Sequence, residues 1–513
     1  MRKVVSYKIP LLLLVLNMYG QDCTKTDHCT AANADEVICP SNVVHPKTFF
    51  NPRQVTFDST FELALANYDM YHPLECDTNC YGVHLYATPF YQKSRKSCAF
   101  ARYFLPNGKC AINVRQDGTG DVDPLWLQLS GQPGTSFSSI FAINPERKSA
   151  GVVLTARIDF NNWSDCFCNL WLGINTAIVH ANHAMNVCEN PSSNENPSGQ
   201  LTCPPNSTFG TALSSPSLTA GKVSFTSLKK TGLDDIQLKL GYDWYYCGCD
   251  DLSSHITPYL VAGIPTGKRP SSEFLFEPLV GSKHGSFGVG LNADAQLWEC
   301  DATIVTWMVD VKYRYAFKAK ERRSYDLCLN LDWSRYLLLA NSAATLTPIP
   351  GINILTTDVN VTPRSEINFW TALHYERCSW DFELGYNLWW RQQEKVSLSQ
   401  HPAISSLGIF DLAGAGVLNA VSASTANISQ GVGGTNPVVS DATFVPLSIT
   451  NLNLHSAEHP RALTHKLYAA FDYRNCWCDK PVLLGVGGSY EFARPRANAL
   501  EQWAVFGKLG ITF

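Results

Sequence analysis

"WAVFGKLGITF", Trp503–Phe513, ends the chain, and its spacing decides the fold. Trp503, Val505, Gly507, Leu509, Ile511 and Phe513 fall on alternate positions, with Ala504, Phe506, Lys508, Gly510 and Thr512 between them. A period of two places the two sets on opposite faces of a β-strand. Domain ends are usually polar and frayed. This strand runs to the last residue and stops on an aromatic ring.

The same alternation recurs upstream. "VVLTARIDF" sets Val152, Leu154, Ala156, Ile158 and Phe160 against Arg157 and Asp159. "IQLKLGYDWYYC" sets Leu238, Leu240, Tyr242, Trp244 and Tyr246 against Lys239 and Asp243. "MVDVKYRYAFK" sets Val309 to Phe317 against Asp310, Lys312, Arg314 and Lys318. "SWDFELGYNLWWRQQ" sets Trp380 to Trp390 against Asp381 and Glu383, and "HKLYAAFDYR" sets Leu467 to Tyr473 against Lys466, Asp472 and Arg474. Soluble strands average about five or six residues. These run about 9–12, the length that crosses a bilayer when tilted. Tyr242, Trp244, Tyr246, Trp380, Trp389, Trp390 and Trp503 cluster toward strand ends, where interfacial girdles sit.

The fold class predicted is therefore all-β: a transmembrane antiparallel up-and-down β-barrel. Strands are expected near 80–92, 138–160, 168–181, 232–246, 254–265, 285–299, 302–320, 365–377, 379–392, 462–475, 481–492 and 501–513. That is about twelve, an even number, as closed bacterial barrels require. Long connections near 93–137, 182–231, 266–284, 321–364 and 393–461 then lie outside the cell, the last of them the largest, rich in small and polar residues and mobile.

At 513 residues with 16% charged side chains and a formal charge of −4, the chain has no basic stripe for nucleic acid. Arg2, Lys3 and Lys8 precede the apolar run Ile9–Leu16, which reads as a signal peptide over 1–20. That run is far short of a membrane helix. Residues 21–79 form an N-terminal cysteine-containing periplasmic or plug segment, and 80–513 the barrel. "DSTFELALANY" (Asp58–Tyr68) reads either as a short helix capped by Asp58 or Ser59, with Glu62 in its first turn and a place in the mouth or lumen, or as an additional strand that would spoil the even count.

Eighteen cysteines in an exported chain point to disulfides. Cys166, Cys168, Cys247, Cys249, Cys300, Cys378, Cys476 and Cys478 mark short turns, which are then periplasmic. Cys98 with Cys110 and Cys188 with Cys203 are natural within-loop pairs, while Cys328 lacks an obvious partner. An oxidising compartment argues against metal at the C-x-C pairs, and joining cysteines one residue apart strains the bridge, so cross-links between turns, to Cys23, Cys29 and Cys39, or to other proteins are favoured. Cys76 and Cys80 complete the disulfide candidates. "HANHAMNVC" (His180, His183, Cys188) looks only superficially like a metal site.

The charges on the less apolar faces are candidate pore-lining groups: Arg157, Asp159, Lys239, Asp243, Asp310, Lys312, Arg314, Lys318, Asp381, Glu383, Lys466, Asp472, Arg474 and Lys508. In a wide lumen they line water and set ion preference; in a narrow one they pair and fill it. The conducting lumen is the favoured reading. No G-x-S-x-G or H-E-x-x-H occurs, and "GSFGVG" (Gly285–Gly290) sits in a strand with no helix after it. Neither enzyme nor cofactor is expected.

The signal peptide, the N-terminal cysteines, turns such as "YYCGCDDL" and "NCWCDKP", the aromatic strands and the final Phe513 resemble the cysteine-rich major outer membrane proteins of chlamydia-like bacteria. The resemblance implies a β-barrel porin in the outer membrane, for small hydrophilic solutes, with disulfides cross-linking the envelope. It also implies that the barrel-assembly machinery reads Phe513. Partners are then membrane lipid, that machinery and envelope proteins, with homo-oligomers open. The alternative is a non-conducting barrel whose long loops bind a surface, as an adhesin.

Overall fold

The computed structural model describes residues 45–65, 82–95, 98–129, 137–160, 169–191, 208–247, 253–300, 302–341, 348–412, 422–430, 441, 443–477, 480–493 and 498–513. The signal segment and Cys23, Cys29, Cys39, Cys76, Cys80, Cys166, Cys168, Cys203, Cys249 and Cys478 lie outside them.

Twelve antiparallel staves close into a barrel, each paired with its neighbours in sequence. They are β1 (Val83–Ser94), β2 (Glu146–Asp159), β3 (Leu170–Ala184), β4 (Ile236–Tyr242), β5 (Ser253–Ile264) and β6 (Ser286–Cys300). The second half is β7 (Thr303–Ala316), β8 (Arg364–Arg377), β9 (Trp380–Arg391), β10 (Ala462–Trp477), β11 (Lys480–Ala493) and β12 (Gln502–Thr512). Leu228–Leu233 and Trp244–Cys247 extend the β4 stave above and below, pairing with β3 and β5. The seam closes through β1 and β12, His84 opposite Thr512 through Ser94 opposite Gln502. Phe513 adds a last rung: its N–H donates to the Val83 carbonyl at 2.9 Å and its carbonyl accepts from Val83 at 3.3 Å. Among the described residues, the barrel wall is left with no edge strand.

Two expected strands were too long. Within 138–160, Ser138–Ile143 leaves the wall and pairs with Ala111–Arg115 and Val187–Pro191. The break falls at Asn144–Pro145, where proline has no N–H for a ladder. Within 302–320, β7 stops at Ala316, and Ala319–Ser324 joins another sheet with Thr356–Thr362 and Lys395–Leu398.

The alternation sorts by face. Val505 and Leu509 are half exposed on the outer wall, while Ala504, Phe506 and Lys508 are buried inside. Leu384, Leu467, Leu484 and Val486 continue the outer apolar band, and Tyr242, Trp244, Trp298, Trp380 and Trp503 lie exposed on it. Trp389 departs from the expected girdle. It is 2% exposed and faces inward, its ring 5.8 Å from the Arg53 guanidinium and 5.4 Å from that of Arg391.

The turns at 300–303, 377–380 and 477–480 join strands at one rim, where Cys300, Cys378 and Cys476 are exposed. The long connections meet at the other end and build a cap with its own apolar core. Phe104, Trp126, Phe141, Phe209, Tyr336, Leu339 and Ile409 are buried in it. The expected mobile loop 393–461 contributes too. Ala423, Ala426, Ile428, Leu447 and Leu452 pack into the core, because apolar side chains spread along that loop find partners on the others. Leu452–Asn453 pairs with Asp326–Leu327, and Leu407–Ile409 with Leu338–Asn341.

Candidate functional site: the lumen

Residues 45–65 run down the barrel axis. His45 begins in the cap, bonded to Asp332 at 2.9 Å, and Lys47 donates to the carbonyls of His455 and Ser456. Below this, the Phe57 carbonyl accepts from Asn368 near the mouth end of β8. Helix α1 (Ser59–Leu63) then starts where Asp58 accepts from the Thr60 N–H, as the sequence leads one to expect. Its single turn is wholly buried in the lumen.

Thirteen of the fourteen charges expected on the inner face are buried there; Lys318 is the exception. It lies exposed between Ala316 and Ala319, where the chain leaves the wall for the cap. The others form three groups around the axial segment.

The first group grips the segment. Glu62 pairs with Lys239 at 2.5 Å and Lys312 at 3.1 Å, and accepts from Gln237 at 2.9 Å. Asp58 pairs with Lys466 and, at 3.3 Å, with Arg53. The Lys508 ammonium donates to the carbonyls of Phe61, Glu62 and Ala64 at 3.2, 2.9 and 2.6 Å. Those carbonyls belong to a helix too short to use them, so the lysine serves as their cap. The Leu65 N–H donates to Glu383 at 3.1 Å, and Arg314 lies 3.5 Å over the Phe57 ring. Asp310 accepts from the Tyr259 hydroxyl at 2.8 Å.

The second group rings the turn-side rim under the seam. Arg157 reaches Asp159 and Asp243, each at 2.6 Å. His84 bridges Asp159 and Thr512, each at 2.9 Å, tying the first strand to the last. Asp243 also accepts from Trp171 and Thr257, each at 2.8 Å. The third group lies on β8–β10. Arg474 is held between Asp381 and, at 3.0 Å, Glu376, with Asp472 beside Asp381 across the ladder. His374, Glu376 and Asp381 bring ligand atoms within 4.8 Å of one another. Arg474 already supplies the positive charge between those two carboxylates.

Aromatic rings fill the remaining volume by lying across glycines on neighbouring strands. Trp171 covers Gly241, Tyr259 covers Gly290, Tyr468 covers Gly385, and Phe506 covers Gly487. These glycines share the inward register of the lumen charges, a signal present in the sequence but not used to predict filling. Two cavities beside Asn51–Arg53 measure about 20 Å³ each, room for about one water. A larger groove of about 500 Å³ lies on the outer wall, floored by Leu85, Leu154, Ile174, Leu509 and Ile511.

Among the cysteines, Cys188 and Cys328 are disulfide-bonded, so Cys328 does have a partner. Cys110 carries a free thiol, which removes the expected bond to Cys98, the first residue of helical turn Cys98–Ala101. Cys247 ends the lower extension of β4 at the turn rim. His180 and His183 point to opposite faces. His180 is exposed and bonded to Thr231 at 2.7 Å; His183 is buried and stacked on Phe276 at 4.3 Å. The pair therefore makes no joint metal site.

No protein-family model matches the chain, and no curated protein matches it in sequence. Among solved structures, it is similar to an outer membrane channel from Pseudomonas putida F1, at 9% identity over 86% of this chain and 100% of that one, TM-score 0.38. It is also similar to the transport unit of the autotransporter AIDA-I from Escherichia coli, at 8% identity over 90% and 99%, TM-score 0.26. A Pseudomonas aeruginosa FadL homologue gives 8% identity over 84% and 89%, TM-score 0.23. Values this low say nothing of function.

Proposed function

We propose that the chain is an outer-membrane barrel, without catalytic activity, that passes small hydrophilic solutes only when residues 45–65 move from the lumen. The carrying observation is how that segment is held. Its polar anchors, Asp58, Glu62 and the carbonyls of Phe61, Glu62 and Ala64, are gripped by Lys239, Lys312, Lys466 and Lys508 of the wall. Water can replace those contacts on release, while the burial of Phe61, Leu63 and Leu65 against the wall opposes it and keeps the closed state dominant. The inner charges would then line the vacated path and set ion preference. The turn cysteines would join the protein to itself or to envelope neighbours, as the resemblance to chlamydial porins implies.

A tether tests this. A β-carbon at Gly485 would lie 2.5 Å from Leu65 Cδ1, so L65C/G485C can lock the segment in place. In planar bilayers the native chain should show discrete conductance steps from a mostly closed state. The oxidised tethered variant should be silent, and its steps should return on reduction. A native chain that stays silent, together with a silent E62Q variant, would defeat the reading. The packed cap would then favour the second one, a non-conducting barrel presenting a surface-binding head.

A further inference from the structure

Most of the outer wall is uncharged. Above the turn rim, the outward faces of β5 to β12 carry no lysine, arginine or carboxylate among the described residues. The mouth end of β1, β2 and the upper extension of β4 is different. Lys93 shares the outward face of Leu85, Lys148 that of Leu154, and Lys229 that of Leu233. The ladder sets the three lysines in one row. Lys93 stands directly opposite Lys148, Lys148 opposite Asn182, and Asn182 opposite Lys229. Strands lie about 4.8 Å apart, so the row covers about 14 Å. Arg95 is the next outward position beyond Lys93, with its side chain 71% exposed.

Carboxylates do not balance this row. Glu146 lies 3.0 Å from Lys148 and Glu501 3.9 Å from Arg95, but Lys93 and Lys229 have no ion pair among the described residues. Like charges directly opposite each other destabilise a sheet, so Lys93 against Lys148 opposes folding unless an anion lies between them. A lone lysine at a membrane surface can reach water along its own stem, whereas lysines on adjacent strands repel one another. The height of the row identifies the anion. Trp503 stands opposite Lys93 on β12, its ring 5.6 Å from that of Tyr91. Such rings sit at headgroup level in a membrane barrel. Below them Leu154, Ile178, Leu233 and Val505 are exposed and apolar, a floor that acyl chains can cover and that a soluble anion does not need.

We propose that Lys93, Arg95, Lys148 and Lys229 bind the phosphate groups of a membrane lipid in the leaflet at the cap end, with its acyl chains on the apolar wall beneath. Such binding rests on the membrane-barrel reading above and is independent of whether the lumen conducts.

Lipid retention by the folded, detergent-solubilised chain tests this, read by native mass spectrometry. The probe is lipid A, an acylated disaccharide carrying phosphates. K93Q/K148Q/K229Q should weaken its retention by about a hundredfold, since each lysine near a membrane surface is worth about fivefold. K93R/K148R/K229R should keep it. K318Q/K320Q/R322Q, which removes exposed charges from the cap, should leave it unchanged. Equal weakening by both glutamine variants would reduce the row to general charge attraction and overturn the site. So would equal retention of dephosphorylated lipid A, or displacement of lipid A by millimolar inorganic phosphate. Failure of the barrel reading looks different: the native chain would stay soluble and monomeric without detergent and retain no lipid, which overturns both.

Discussion

Glu62 sits between two lysines that reach it from different staves, Lys239 on β4 and Lys312 on β7. Breaking a buried pair by removing one partner typically costs about 3–5 kcal/mol, because the remaining charge stays buried without compensation. E62Q should therefore lower the thermal stability of the detergent-solubilised protein and speed amide exchange across residues 59–65. Unchanged exchange there would show that Lys508 and Asp58 hold the segment by themselves. A second residue carries pH dependence in the cap. Burial of His284 opposes its charge, but the Glu321 carboxylate, 2.8 Å from Nε2, outweighs this and raises the imidazole above its usual value. The folded cap thus keeps this proton to a higher pH than the unfolded chain does. The stabilisation is complete below about pH 6.5 and fades as pH rises through the raised value. H284Q should lose most cap protection relative to the native chain near pH 6, and the difference should shrink as pH rises through the raised imidazole value, read by hydrogen exchange in Ala319–Ser324. A pH-independent difference would sink the assignment to His284.

At the level of single strands, the wall was legible because the environment on its two sides differs so sharply. An exposed apolar wall on one face and a buried, charge-bearing lumen on the other appear as a period of two over whole strands, as Leu467, Ala469, Phe471 and Tyr473 show against Lys466, Asp472 and Arg474. Lumen filling was not legible in the same way, because it depends on pairs that adjoin only across the ladder. Gly385 looks like an ordinary strand glycine until Tyr468 is found opposite it, with ring atoms 2.3 Å from where a β-carbon would stand. G385A must push that ring aside, an overpacking cost of about 1–3 kcal/mol. Y468A placed on top of G385A should recover part of the loss, and strictly additive effects would show that the ring and the glycine are not coupled. The final strand separates two roles of Phe513. Its backbone completes the rung with Val83, and its ring lies 4.0 Å beneath Lys480. Deleting Phe513 removes rung and ring, while F513A keeps the rung. If the assembly machinery reads the aromatic, both changes should sharply reduce folded protein in the membrane. If only the rung matters, F513A should assemble normally.

As a whole, the molecule joins a closed barrel to a cap with its own apolar core, and residues 45–65 contact both. The barrel closes by a continuous antiparallel ladder and reads directly from the chain. The cap hides from sequence because its strands are two to seven residues long and pair across distant connections, as Asp326–Leu327 does with Leu452–Asn453. Such pieces carry too few residues for a period to show. Their stability must come from the shared core around Trp126, Phe209 and Tyr336, from buried contacts such as Arg335 with Asp326 at 2.5 Å, and from the disulfides at Cys188 and Cys328. The two bodies should then respond differently to reduction. A disulfide typically contributes about 2–4 kcal/mol, largely by restricting the unfolded chain, and both of these lie in the cap. Treating the folded protein with a reductant should speed amide exchange in Val187–Pro191 and Thr356–Thr362 while leaving β8 to β12 protected. Equal acceleration in cap and wall would mean that the two unfold as one unit. Selective loosening of the cap would mean that the entrance to the lumen can open while the barrel stays shut, with Lys239, Lys312, Lys466 and Lys508 left as the last hold on residues 58–65.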